Sequence, residues 1–158
     1  MQPNHLEAII QLALQAHDFV LLDLGRNLDP GSLKAMDLAD HLFMVLQAEL
    51  PALRHARRLQ QLFRTLGYPE GKAEWIVNRH EKTSDIGLAE IARTLGVERL
   101  RTVANDYREV CAAVNQGAAL PQVARSSPVT RNLAELALSL NPLPQVQRSL
   151  LGRLFRRA

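Results

Sequence analysis

Apolar residues recur at helical spacing from Leu6 through Ile9, Ile10, Ala13 and Leu14, which predicts a first helix capped by Asn4 and running to about His17. The period then changes. Phe19-Val20-Leu21-Leu22 is continuously apolar and predicts a strand that delivers Asp23 straight into the Gly/Pro-rich loop from Leu24 to Gly31. Leu33, Met36 and Leu38 suggest a short helix, and Leu42 to Leu46 reads as a second buried strand. Pro51 opens the most regular helix. Leu53, Ala56, Leu59, Leu62, Phe63 and Leu66 form its apolar series, Gly67 ends it, and Arg54, Arg57, Arg58 and Arg64 lie on its opposite side. Trp75-Ile76-Val77 predicts a third strand ending at Asn78-Arg79. A helix from Gly87 to Leu95 stops at Gly96, and Leu100 to Val103 supplies a short fourth strand. Tyr107 to Asn115 is helical and breaks at Gly117; Ser127-Pro128 then starts a helix carrying Val129, Leu133, Leu136, Ala137 and Leu140.

Strands that are apolar throughout, rather than alternating, belong to sheets covered on both faces, and their alternation with helices predicts an α/β fold with a mostly parallel sheet flanked by helices. In such sheets ligands lie beyond the carboxyl ends of the strands. Asp23, Gln47, Asn78 and Asn105-Asp106 all fall there. Residues 1–140 form the expected α/β domain, residues 141–145 (from Asn141-Pro142-Leu143-Pro144) a linker, and residues 146–158 a tail of different character.

The length of 158 residues suits one domain with a real core. Aromatic residues are only 4% of the chain, so aliphatic side chains must fill that core and stacking platforms for single-stranded nucleic acid are scarce. The net charge is +3, but the tail alone carries +4 through Arg148, Arg153, Arg156 and Arg157. A nearly neutral body argues against an all-round electrostatic trap for DNA. The single cysteine, Cys111, falls in a helical pattern and suits a buried thiol in a reducing compartment. With a polar start and no membrane-length apolar run, the chain is expected to be cytoplasmic, with peripheral attachment at the inner membrane as a further expectation.

An aspartate fixed by a strand and followed by a glycine can hold Mg²⁺ through water beside a nucleotide's phosphates, which makes Asp23 a metal candidate; the alternative is a loop cap. Asn78 offers the donor and acceptor that an adenine edge requires, and Arg79 a planar guanidinium to lay against the base; the alternative is an Asx turn. The five histidines lack compact ligand spacing, and no serine or cysteine sits in a nucleophile motif, so no residue is assigned a catalytic role. None of the eight glycines lies in a glycine-rich phosphate loop.

The segment from Phe19 to Pro30 resembles the switch II region of the deviant Walker A ATPases of the MinD/ParA type. Further resemblances are Leu50 to Leu59, Ile76 to Arg79, Asn105 to Val110, Val114 to Gly117 and Ser127 to Arg131. Within that group the pattern looks most similar to the CpaE/TadZ pilus-assembly family. The resemblance implies an incomplete P-loop NTPase-like (SIMIBI) three-layer sandwich, with Asp23 near Mg²⁺, Asn78 and Arg79 at adenine, and the loop around Ala104 to Tyr107, which holds Asn105 and Asp106, closing the base pocket. The family's amino-terminal phosphate loop has no counterpart here, so hydrolysis by the chain alone is not expected.

The expected function is accordingly a non-hydrolytic scaffold or localisation protein of pilus assembly, partnered by pilus-assembly or secretion proteins and by a second copy or a domain-completing chain. ATP and Mg²⁺ remain as residual ligands. Two alternatives stand beside it: an ATP-binding subunit completed by a P-loop partner, and a DNA-associated ParA-like protein using Arg54, His55, Arg57, Arg58 and Arg64, unless carboxylates pair those arginines. Nucleic acid ranks below protein partners. On a helical wheel Val146, Leu150, Leu151, Leu154 and Phe155 gather within about half the circle, with Arg148, Arg153 and Arg156 mostly outside it, so the tail is expected to dock on an anionic membrane or a partner.

Overall fold

Three of the four apolar runs become strands: β1 (Leu42–Leu46), β2 (Ala73–His80) and β3 (Arg101–Ala104), joined in the order β1-β2-β3 with both pairings parallel. The computed structural model describes residues 3–25 and 27–140. Two helices, α1 (Pro3–Ala16) and α2 (Pro30–Leu38), precede the sheet; α3 (Leu50–Thr65) and α4 (Leu88–Leu95) are its crossovers; α5 (Tyr107–Gln116), α6 (Leu120–Val123) and α7 (Pro128–Leu140) follow it.

Alternation along each strand sends side chains to two different cores. On one face Leu46, Trp75 and Val77 meet Leu53 and Ala56 of α3 and Ile91 and Leu95 of α4. Each fully buried aliphatic there contributes roughly 1.5–3 kcal/mol. On the other face Ile76 and Val103 pack with Val129 of α7, joined by Phe43, Leu120 and Leu136. Helices thus cover both faces of a parallel sheet, which is the three-layer arrangement expected from the continuous apolar strands. α1 and α2 pack on each other through Leu6, Ile10 and Ala35, and α2 reaches β1 through Met36 and Leu42.

Local signals explain the element ends. Asp29 caps α2 by accepting the Ser32 N–H at 2.7 Å, which holds its carboxyl below the usual carboxylate range. Gly96 closes α4 in the left-handed region at φ 65°. A buried knot starts α7: the Ser127 hydroxyl accepts the Thr130 N–H at 3.2 Å, while the Thr130 hydroxyl donates to the Ala124 carbonyl at 2.7 Å.

Four expectations change. The strand at Phe19–Leu22 does not form; the segment is irregular and Leu21 is 84% exposed. A strand needs a neighbour to pair its N–H and C=O groups, and no described element lies in register with this one. β2 runs to His80, so Asn78 and Arg79 are within its last turn of pleat rather than after it. α1 starts at Pro3, ahead of Asn4. The short helix α6 went unforeseen, because Leu120-Pro121 carries proline at a first turn but no apolar period. The expected linker and tail, residues 141–158, lie outside the described residues.

Candidate nucleotide site

The carboxyl ends of β2 and β3 are tied together where the polar residues gather. The Asn105 N–H donates to the His80 carbonyl at 3.1 Å, and the Asn105 side-chain amide donates to the Glu81 carboxylate. Asn132 of α7 accepts the Ala104 N–H at 3.1 Å and anchors the same corner from behind. Between Val77 and His80 the pairing with β3 is irregular, and here Arg79 takes φ 52°, the only described non-glycine residue in the left-handed region. An arginine there costs on the order of 1–2 kcal/mol, and such strain persists where surrounding structure enforces it.

Asn78 is engaged locally. Its side-chain oxygen accepts the Arg79 N–H at 2.9 Å, which is the turn-stabilising role weighed against a base contact, and its amide donors stay available. Asp106 caps α5 through the Glu109 N–H at 3.5 Å. Its carboxylate also borders an open hollow of ≈ 500 Å³ whose far side is residues 123–127. The His80 Nδ1 atom is buried here without a hydrogen-bond partner.

Tyr107, 71% exposed at the start of α5, ends the Ala104–Tyr107 segment that the resemblance implies at the base pocket. Its phenol is raised above the ordinary value chiefly by interaction with the Cys111 thiol and is opposed by the Arg79 charge, which places that guanidinium within electrostatic reach of the ring. A strained backbone at Arg79 and an unpartnered His80 Nδ1 thus lie next to each other at the end of β2. Asp23 is not part of this cluster. It sits on irregular, exposed chain, and no strand fixes it. Among the described residues no group of three His, Cys, Asp or Glu side chains could hold a metal by itself. A single carboxylate is compatible with Mg²⁺ held mainly by water and phosphate oxygens. The polar groups gather at the carboxyl ends of β2 and β3, and the sequence holds no glycine-rich phosphate loop.

No protein-family model matches the chain. The septum site-determining protein MinD of Thermotoga maritima is 25% identical over 142 residues, which are 87% of this chain and 52% of that protein. A ParA family ATPase from Chlorobium tepidum superposes with a TM-score of 0.79 at 24% identity, over 87% of this chain and 57% of that one. MinD from Pyrococcus horikoshii, solved with Mg-ADP, superposes at 0.72 and 18% identity, covering 94% and 60% respectively. The fold is therefore that of the MinD/ParA P-loop NTPases, a parallel sheet flanked by helices in three layers. The chain spans about half the length of the curated relative it matches.

These matches correct the narrowing to the CpaE/TadZ pilus family, and with it the pilus-assembly function and the pilus-assembly or secretion partners. The physical reason is that the suggesting motifs are short stretches, at the ends of β2 and β3 around Asn78-Arg79 and Asn105-Asp106 and on irregular chain around Asp23. Stretches so short do not separate the branches of the wider group. Among the described residues no helix is long and apolar enough to cross a membrane.

Proposed function

We propose that residues 1–140 are the base-reading and switch-bearing part of a MinD/ParA-type ATP site, completed by a phosphate-loop segment lying outside them. The observation that carries this reading is the left-handed Arg79 at the end of β2, where the Asn105 N–H and side-chain amide tie the ends of β2 and β3 together through His80 and Glu81. The Mg-ADP bound by the Pyrococcus horikoshii protein supports the same ligand class. In this reading Arg79 and Tyr107 flank the base, Asn78 and Asn105 meet its edge through their amides, and Asp106 shapes the pocket wall by capping α5. Asp23 receives a water of the Mg²⁺ shell when a phosphate loop brings the ion alongside. Bound Mg²⁺ would neutralise the phosphates, a charge this chain's neutral body does not itself match.

Calorimetric titration of the chain with Mg-ATP and Mg-CTP tests it. Binding of ATP in preference to CTP is expected, with no multiple turnover until a phosphate-loop segment is supplied. Equal heats for the two nucleotides, or none for either, would overturn the assignment.

A second reading, association with duplex DNA, is favoured by α3. Arg54, Arg57, Arg58 and Arg64 are all exposed, and the two ion pairs found among the described residues, Lys34–Glu7 and Arg101–Glu74, involve none of them. The carboxylate pairing weighed as their alternative role is absent there. The helix carries them over about 15 Å at 1.5 Å per residue, against one duplex phosphate charge per ~1.7 Å. Fluorescence anisotropy on duplex DNA across a salt series should show steep weakening, and the triple variant R54Q/R57Q/R58Q should lower the log–log slope by about 3. No binding at low salt would remove this reading.

A further inference from the structure

The face of the sheet covered by α7 holds a cleft that the candidate nucleotide site does not use. Alternation puts Glu74 and Ile76 of β2, and Arg101 and Val103 of β3, on that face. α7 lies over them without filling the space at the outer edge of β3, where a cavity of ≈ 230 Å³ remains. Its lining runs from Leu100 and Arg101 at the start of the strand to Asn132, Glu135 and Leu136 on the helix. The corner tied by Asn105 lies past the other end of β3.

The floor of the cleft is apolar: Ile76 and Val103 are buried, and Leu136 packs against them. Its two walls carry opposite charges. On the strand side the Arg101 Nε donates to Glu74 at 2.6 Å, which fixes the guanidinium and leaves its terminal NH₂ groups without an acceptor among the described residues. On the helix side Glu135 is exposed and belongs to neither ion pair found among the described residues. Arg101 and Glu135 therefore line one cleft while standing more than 4.0 Å apart. Asn132, one turn before Glu135, contributes donors. Its oxygen is spent on the Ala104 N–H at 3.1 Å, which orients the side-chain amide and leaves its own hydrogens available.

These features select a ligand by size and charge. The volume lies below the ≈ 300–1,000 Å³ of pockets for drug-sized molecules, so the cleft suits a small metabolite. A bare ion leaves the apolar floor uncovered, and a ligand of one sign leaves one charged wall unmatched. A molecule that carries an ammonium, a carboxylate and an aliphatic group on neighbouring atoms matches all three surfaces.

We propose that this cleft binds a free aliphatic α-amino acid. The carboxylate meets the Arg101 NH₂ groups, a pairing that guanidinium geometry favours, together with the Asn132 amide. The ammonium meets Glu135, and the side chain lies against Val103 and Leu136. Arg101 and Asn132 then serve twice, closing the edge of β3 and holding the ligand. The inference is independent of the nucleotide reading above.

Titration of the isotope-labelled full chain with L-leucine, followed through its amide chemical shifts, tests it. Saturable shifts are expected at Thr102, Asn132 and Leu136. Leucinamide lacks the carboxylate and N-acetylleucine lacks the ammonium, so each should bind about tenfold more weakly or worse, because each leaves one charged wall unpaired. The same two compounds stand for the amino and carboxyl ends of a peptide. Equal binding by either would assign the cleft to a chain end and overturn the proposal. Glu135→Gln changes an exposed helix position between residues of similar helix propensity. It should weaken leucine binding about tenfold and leave N-acetylleucine unchanged. A variant that melts like the parent and binds leucine equally well would overturn the assignment, as would leucine shifts that do not saturate or that centre elsewhere. The ligand series needs no variant, so it decides the matter even if Glu135→Gln destabilises the chain.

Discussion

Arg79 shows how one backbone angle can carry a functional argument. Its left-handed φ of 52° is unfavourable for any residue with a Cβ, and glycine would relieve it. Arg79→Gly should stabilise the chain by about 1 kcal/mol, raising Tm by roughly 2–4 °C in a domain of this size, while lowering affinity for Mg-ATP. A scanning melt and a titration on the same sample check both halves; unchanged affinity would remove Arg79 from the base pocket. Tyr68 supplies a second residue-scale test. Its hydroxyl donates to Asp37 at 2.7 Å, and burial together with that carboxylate pushes the phenol up to about 12. In the unfolded chain it titrates at about 10. The fold therefore favours the neutral phenol: this contribution is fully present below about pH 10 and is lost as pH rises toward about 12. Tyr68→Phe should cost about 0.5–1.5 kcal/mol at neutral pH through the lost hydrogen bond. It should also flatten the fall in stability above pH 10, as read by urea melts across that range. At this scale the sequence made Asn78 and Arg79 visible as site candidates, since polar residues ending an apolar run are legible. It did not show that Asn78 would turn back on Arg79, which depends on an irregular pairing with β3.

Helices were the most legible elements. The period from Leu53 to Phe63, the glycine stop at Gly96 and the Ser127-Pro128 start all correspond to observed helices, because helix hydrogen bonds close within the segment that encodes them. Strands fared unevenly for the opposite reason. The runs at Leu42–Leu46 and Leu100–Val103 found partners, whereas Phe19–Leu22, equally apolar, found none and stayed irregular. Sequence alone also marks residues 146–158 as an amphipathic basic segment, and we propose that it docks on anionic membranes. Co-sedimentation with anionic and neutral vesicles should show binding by the full chain to the anionic ones and its loss in a chain ending at Pro144. Equal binding by the two forms would reject the role. A short amphipathic segment gains its helix only on entering an interface, where apolar burial offsets the nucleation cost.

In the whole molecule, the sheet is asymmetric: β3 is sealed by Asn132 and Arg101, whereas among the described residues nothing pairs with β1 on the side away from β2. The matches to MinD and ParA proteins, over roughly half of their length, agree with this parallel sheet flanked by helices. The branch within that group was not legible from motifs, since the matching stretches are short and the whole-chain matches run to MinD and ParA proteins instead. By itself the sequence determined the α/β class, the course of the longer helices and the absence of a glycine-rich loop from these 158 residues, each being a matter of local pattern or composition. Only the tertiary structure decided which apolar run pairs with which, that Asn105 ties the ends of β2 and β3 together, and that Asp23 is left without a strand. Those outcomes depend on neighbours distant in sequence, and a strand's hydrogen bonds, unlike a helix's, are made entirely with such neighbours.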